Sequence, residues 1–170
     1  MHKKQLYKKL FCLIGFAACL ASCGIYKFRD VSIDPRVKTV KIGFFQNKAS
    51  YVNPQLAPQL TDKLQQKITN LTKLSRTNSD DAHYQIDGTI TGYNVSTTAV
   101  TANQAASNRL NVTVHLILKN TLDNKTEEYD ISRGFDFPAN LSLQQAEAQL
   151  LDDMLRNLTD EIFNRIFSNW

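Results

Sequence analysis

Cysteine is scarce in this chain of 170 residues, which contains only 3. Cys12, Cys19 and Cys23 all lie near the N-terminus, and no cysteine follows Cys23. The remainder of the chain therefore cannot form an internal disulfide, a cysteine zinc site or a thiol nucleophile.

Long apolar runs are also missing after the N-terminal segment. No later run reaches the ~18 residues that a membrane-spanning helix needs. The one run present covers residues 10–20 and follows a basic start that contains His2 and four lysines. A basic n-region followed by an apolar run of this length is typical of a secretory signal peptide. We therefore expect residues 1–22 to direct export.

The end of the signal and the residue that follows it read Leu20-Ala21-Ser22-Cys23. This tetrapeptide resembles the lipobox of bacterial lipoproteins. That resemblance implies cleavage before Cys23, a diacylglycerol on its thiol and usually a further acyl chain on the new amino group. Two or three acyl chains hold a protein on a membrane, whereas one is marginal. The alternative is an ordinary signal peptide with a chance cysteine at its end.

Removal of the signal changes the charge balance. The whole chain has a formal net charge of +4, but the first 22 residues contain four lysines and no acidic residue. The remaining 148 residues carry 16 basic and 16 acidic side chains. This balance argues against a nucleic-acid partner, which would require a basic patch.

Patterns for catalysis or cofactor binding are lacking as well. His83 and His115 have no cysteine or carboxylate at ligand spacing, so we interpret them as polar strand residues rather than metal ligands. The segment Gly88–Gly92 lacks the Lys-Ser/Thr of a phosphate loop, and no serine lies in a hydrolase elbow. We predict a non-enzyme without a metal or cofactor.

The periodicity of the exported part predicts the element order β-α-(β)-β-β-β-α. Strands are expected at residues 39–45, 83–96, 110–119 and 127–137, with a possible short strand at 72–76. The polar segment 46–53 is expected to be a loop, and a switch in the parity of the alternating residues near Gly92 predicts a bulge or bend there. Helices are expected from Asn53-Pro54 to Leu71 and from a capping box at Ser142–Gln145 almost to the C-terminus. This order predicts an α+β two-layer sandwich with both helices on one face of the sheet. The predicted organisation is a signal peptide (1–22), an extended lipidated leader (23–38) and a single domain (39–170).

Two features are candidates for binding. The first is the polar segment 96–108, which is long for a hairpin connection. Its small side chains would allow a partner to approach closely, for example inside a barrel lumen; a merely floppy hairpin tip is the alternative. The candidate contact residues in this segment are Thr97, Thr98, Thr101, Asn103 and Gln104.

The second feature is a set of cations around the first strand and the far end of the polar segment. Its members are Lys38, Lys41, Lys48 and Arg109. Cations beside an apolar groove would suit a phosphorylated lipid, and scattered surface charges are the alternative interpretation.

The chain as a whole resembles a divergent branch of the LptE-type lipopolysaccharide-assembly lipoproteins. The residues that carry the resemblance are Cys23–Arg29, Val52–Pro54, Asp87–Tyr93, Asn108–Val114 and Asp160–Trp170.

The resemblance implies a sandwich of two helices and roughly four strands, held by lipid at the periplasmic face of the outer membrane. It also implies that the protein plugs a large β-barrel lipopolysaccharide translocon (LptD-like), assists assembly of that barrel and binds lipopolysaccharide. A rival interpretation is an accessory lipoprotein that binds a cell-wall synthase or another export pore. The short leader argues against a synthase, because 15 residues extend to at most ~50 Å. A lipid-modified hydrolase is a third interpretation, but it has no supporting pattern.

Overall fold

Six strands and two helices in the described part of the chain form a two-layer α+β arrangement. The computed structural model describes residues 32–98 and 107–168. In chain order the elements are β1 (Thr39–Ile42), β2 (Gln46–Asn47), α1 (Leu56–Leu71), β3 (Ser75–Arg76), β4 (Tyr84–Thr97), β5 (Ser107–Asn120), β6 (Lys125–Pro138) and α2 (Leu143–Phe167). The predicted fold class is confirmed. The predicted signal peptide and Cys23 lie outside the described residues.

The sheet is mixed, with the strand order β3-β1-β4-β5-β6, and β2 pairs with β4 further along that strand. β1 runs parallel to β3 and to β4, whereas β4, β5 and β6 form an antiparallel meander. The sheet has six strands rather than roughly four, because the two-residue strands β2 and β3 join it. β2 lies in a polar segment that we predicted to be a loop.

The first predicted strand is interrupted after Ile42. Ile42 pairs with Ile86, and the next registered pair joins Gln46 to Thr89. The chain therefore advances four residues from β1 to β2 while β4 advances three. Phe44, within the interruption, is 84% exposed. Glycine fits this site because a β-carbon at Gly43 would overlap the Asp87 carboxylate.

The antiparallel meander agrees with the alternation of its residues. In β5, five apolar residues face the helices and are almost fully buried: Leu110, Val112, Val114, Leu116 and Leu118. The register of β4 on β5 shifts between Ile90 and Gly92, which confirms the bulge predicted from the parity switch. The tight connection from β5 to β6 contains Asn124 with φ of 49°, a conformation that asparagine tolerates well.

The two helices start in different ways. Ser142 caps α2 in a capping box with Gln145, as predicted. The predicted start of α1 at Asn53-Pro54 is wrong, since the helix begins at Leu56. The side chain of Asn53 instead accepts a hydrogen bond from the Gln55 amide at 2.9 Å, which closes an Asx-type turn ahead of the helix.

One hydrophobic core lies between the helices and the sheet. α1 contributes an apolar stripe that includes Leu60 and Leu64, and α2 contributes Leu155, Leu158 and others. Because both helices lie on the same side, the opposite face of β4, β5 and β6 carries no helix of the part of the chain that the structure describes.

Candidate functional site

The candidate site is the face of the meander opposite to α1 and α2, which we call the outer face. Its side chains come from alternate residues of β4, β5 and β6. The register places them in the rows Ser96–Arg109–Asp136, Asn94–Asn111–Gly134, Gly92–Thr113–Ser132, Thr89–His115–Asp130 and Asp87–Ile117–Glu128. Most of these residues are polar, so the outer face is a hydrophilic surface on the side of the sheet opposite to the core.

Cross-strand pairs connect these rows. The Arg109 guanidinium donates to both carboxylate oxygens of Asp136, at 2.6 and 2.9 Å, and these hydrogen bonds hold the pKa of Asp136 below its usual range. The hydroxyls of Thr113 and Ser132 are 2.8 Å apart. The outer face is therefore ordered by pairwise polar contacts between neighbouring strands.

His115 lies between two carboxylates of β6. Its Nδ1 is 2.9 Å from Asp130 Oδ1, and its Nε2 is 3.6 Å from Glu128 Oε2. His115 is thus a residue of β5 with polar partners on the outer face. His83 has a different role, because its Nδ1 accepts a hydrogen bond from the Lys38 amide at 2.9 Å.

The two ends of the predicted polar loop at 96–108 belong to strands β4 and β5. The Thr98 amide donates to the Ser107 carbonyl at 2.9 Å, and the Thr97 hydroxyl donates to Asn108 Oδ1 at 3.3 Å. The β4–β5 ladder therefore extends as far as residues 98 and 107, and Thr97 and Thr98 are strand-end residues. Thr101, Asn103 and Gln104 lie outside the described residues.

The predicted cations do not form one group. Lys41 pairs with Asp80 near the start of β4, since its register partner is Gln85. Arg109 is opposite Ser96 at the other end of β4, and 11 residues at ~3.3 Å each separate the two positions by about 36 Å. Lys38 is exposed beside the start of β1, and Lys48 is exposed just after β2.

A second polar cluster escaped the sequence analysis. Tyr51 and Tyr93 stack with ring centroids 5.4 Å apart, and both hydroxyls donate to the Glu147 carboxylate, at 3.2 and 2.6 Å respectively. Burial, together with the hydrogen bond to Glu147, raises the pKa of Tyr93. These residues are far apart in the chain, so no local pattern could have indicated the cluster.

Two surface cavities adjoin the helices. One, of about 210 Å³, lies beside Glu147 at the starts of α1 and α2. The other, of about 670 Å³, is a groove between β6 and the C-terminal part of α2. Among residues 32–98 and 107–168, no group of three or more His, Cys, Asp or Glu side chains is arranged to hold a metal ion.

The fold and the sequence pattern also match a protein family. A family model described as lipopolysaccharide-assembly, LptE, matches residues 37–166. The chain belongs to the LptE family. The match extends from just before β1 almost to the end of α2, so it includes every strand and the outer face. Membership supports a role in lipopolysaccharide assembly.

Solved structures are similar to this LptE-family chain. A minor lipoprotein from Acinetobacter baumannii is 18% identical, with 75% of this chain and 95% of that chain covered and a TM-score of 0.45. A homologue of neuraminyllactose-binding hemagglutinin from Helicobacter pylori is 8% identical, with 82% and 88% covered and a TM-score of 0.55. At such identities the second likeness concerns the fold alone. Comparison with curated protein sequences gave no significant match.

Residues 1–36 precede the family match, so lipid attachment at Cys23 remains a prediction from the lipobox. Among the residues that the structure describes, no helix combines the length and the apolar character needed to cross a membrane.

Proposed function

We propose that this LptE-family protein is an outer-membrane lipoprotein that plugs a large β-barrel lipopolysaccharide translocon and assists its assembly. In this proposal residues 1–22 are removed, lipid on Cys23 holds the protein at the periplasmic face, residues 23–38 form the leader and residues 39–170 form the plug domain. The observation that carries the proposal is the family match over residues 37–166.

The outer face and the β4–β5 hairpin suit such a role. The lumen of a large outer-membrane barrel is polar, and a surface of paired hydroxyls, amides and charges contacts it without burying unsatisfied groups. The small side chains of Thr97 and Thr98 at the end of the hairpin permit close approach of the barrel wall. Thr101, Asn103 and Gln104 are proposed to continue this contact.

Lipopolysaccharide contact is proposed at Arg109, Lys38 and Lys41. Because about 36 Å separates Arg109 from Lys41 along β4, one phosphate group cannot bridge the two ends. At Arg109, a phosphate would compete with Asp136 for the guanidinium and could replace the carboxylate as its hydrogen-bond acceptor.

The first test is a mild-detergent pull-down of the tagged full chain from its own outer membrane, followed by mass spectrometry. We expect a stoichiometric large β-barrel. Recovery of a cell-wall synthase instead would favour the accessory-lipoprotein alternative, and recovery of no partner would contradict the plug role.

Photo-crosslinking resolves which surface faces the barrel. A crosslinking residue at Thr97, at the end of the hairpin, should link to the barrel. The matched position is Gln66, which is exposed on α1 in the other layer and should give no barrel adduct. Equal crosslinking at both positions would contradict the proposed orientation.

The lipid anchor has its own test. The substitution Cys23→Ala should leave the circular dichroism spectrum unchanged and abolish incorporation of labelled palmitate. If labelled palmitate is still incorporated, the lipobox interpretation is wrong.

A further inference from the structure

β6 is the edge strand of the sheet. It is 14 residues long and pairs only with β5 among the described strands. Its register on β5 runs without a shift from Ser107–Pro138 to Asn120–Lys125. The opposite edge, β3, has only 2 residues. The sheet therefore has one long, regular edge.

The ladder shows which backbone groups of β6 point away from the sheet. In an antiparallel pair, directly opposed residues alternate between hydrogen-bonded and non-hydrogen-bonded positions. The Thr98 amide bonds to Ser107 at one end of β5, and the Thr121 amide bonds to His83 just beyond the other end. Odd-numbered residues of β5 therefore bond to β4, and even-numbered residues bond to β6.

Even-numbered β5 residues are paired with odd-numbered β6 residues. The even-numbered residues of β6 consequently direct their N–H and C=O groups away from β5. All of them between the ends of the strand are exposed: Thr126, Glu128, Asp130, Ser132, Gly134 and Asp136.

Bulges and internal prolines are missing along this edge, although six of its 14 residues are charged. Natural edge strands are usually short, bulged, proline-containing or highly charged. β6 has no bulge, and its proline is the last residue, Pro138. Its charged side chains on the outer face are all acidic, namely Glu128, Asp130 and Asp136.

A groove runs alongside the same strand. It has a volume of about 670 Å³, and Glu127, Tyr129, Glu161 and Arg165 are among its lining residues. Arg165 lies over the Tyr129 ring, 5.7 Å from its centroid. A strand added to β6 could direct alternate side chains into this groove and the intervening ones onto the outer face.

We propose that the edge of β6 binds an extended segment of a partner protein by strand addition, and that this segment carries Lys or Arg at alternate positions. Cationic side chains in the added strand would lie beside Glu128 and Asp130, where opposite charges on neighbouring strands stabilise pairing and like charges oppose it. A second copy of β6 would bring its own carboxylates into the neighbouring strand, so the acidic row favours the cationic segment. The proposal does not depend on the barrel as partner.

The test uses the full chain in detergent and two defined peptides. The first peptide is Lys-Val-Lys-Val-Thr-Val-Lys, and its charge-reversed control has Glu in place of each Lys. Saturating amounts of the cationic peptide should slow hydrogen exchange at the even-numbered amides of β6 by about tenfold, as measured by NMR, because those amides gain partners. The anionic peptide should produce no such protection.

Two variants identify the backbone as the binding element. Ser132→Pro removes an outward-pointing N–H without breaking the β5–β6 ladder, since proline is tolerated on edge strands. It should abolish the protection, whereas Ser132→Ala, which loses the same hydroxyl, should retain it.

A third variant keeps the proposal testable if Ser132→Pro does not fold. Asp130→Lys should weaken binding of the cationic peptide and strengthen binding of the anionic one. Absence of protection in the unmodified chain, equal protection with both peptides, or concentration-dependent dimerisation through β6 in place of peptide binding would each overturn the proposal.

Discussion

The two faces of β5 show how one strand serves two purposes. The residues that face the helices are aliphatic and almost fully buried, whereas those on the outer face are mainly polar and stay in contact with water. The helix-covered face contributes burial, at about 25 cal/mol per Å² of apolar surface. Exposed ion pairs on the outer face contribute only about 0–1 kcal/mol each. Stability therefore resides mainly on the helix-covered side of the sheet.

This division can be tested first at the centre of the core. Leu158 on α2 is 0% exposed, so Leu158→Ala should reduce the free energy of unfolding by about 2–5 kcal/mol through lost burial and a cavity. Urea denaturation followed by circular dichroism measures it. Asp152→Ala, on the exposed side of the same helix, should change stability by only about 0.5 kcal/mol. Similar losses for both would contradict the assignment of stability to the buried core.

A second prediction concerns the polar cluster at the margin of the core. Tyr93→Phe removes the hydroxyl that donates to Glu147 at 2.6 Å, and it should cost about 1.5 kcal/mol, as for a hydrogen bond to a charged acceptor. Tyr51→Phe should cost less, since Tyr51 is more exposed and its bond is longer. Burial raises the pKa of Tyr93, so its contribution is complete below pH ~10 and declines as the pH rises towards the raised pKa. Denaturation at pH 8 and at pH 11 measures this effect. The difference in the free energy of unfolding between the unmodified chain and Tyr93→Phe should be smaller at pH 11.

The third prediction concerns the start of α2. Ser142→Ala should destabilise the protein by about 1 kcal/mol, because the Gln145 amide loses its side-chain acceptor. Ser142→Thr keeps a hydroxyl at the same position and should restore most of the loss. Thermal unfolding of the three proteins measures the effect, and an unchanged midpoint in Ser142→Ala would contradict the capping role.

The sequence analysis succeeded where the structure depends on residues close together in the chain, and it failed where the structure depends on distant contacts. The capping box at Ser142, the alternation of β5 and the bulge at Gly92 depend on residues close together in the chain, and all three were predicted correctly. The strand β2 was missed because it is a polar pair, Gln46–Asn47, recruited by its parallel neighbour β4. The start of α1 was misplaced because Asn53 closes a turn with Gln55, a use of asparagine that has the same sequence signature as a cap.

The candidate site was harder to predict than the fold. The sequence indicated Arg109, yet its partner Asp136 depends on the register of β6, which only the folded sheet reveals. The outer face itself follows from the alternation of β5 once the helices are known to lie on one side. The cluster at Glu147 depends on contacts with residues 54 and 96 positions away, which no short pattern encodes.

The smallest effect on stability is expected on the outer face, at Arg109. Arg109→Ala should leave the free energy of unfolding almost unchanged at neutral pH, because both members of the pair are exposed. The local electrostatics should nevertheless change: the guanidinium lowers the pKa of Asp136, so that pKa should rise towards its ordinary value in the variant, as measured by NMR titration of the carboxyl carbon. The sign follows from linkage, because a carboxyl with a lowered pKa stabilises the fold above its unfolded pKa of ~3.9 and loses that contribution as the pH falls through the lowered value. Arg109→Lys keeps the charge but loses the two-pronged geometry, and should give an intermediate pKa. A large loss of stability in Arg109→Ala would show that the outer face also holds the fold together.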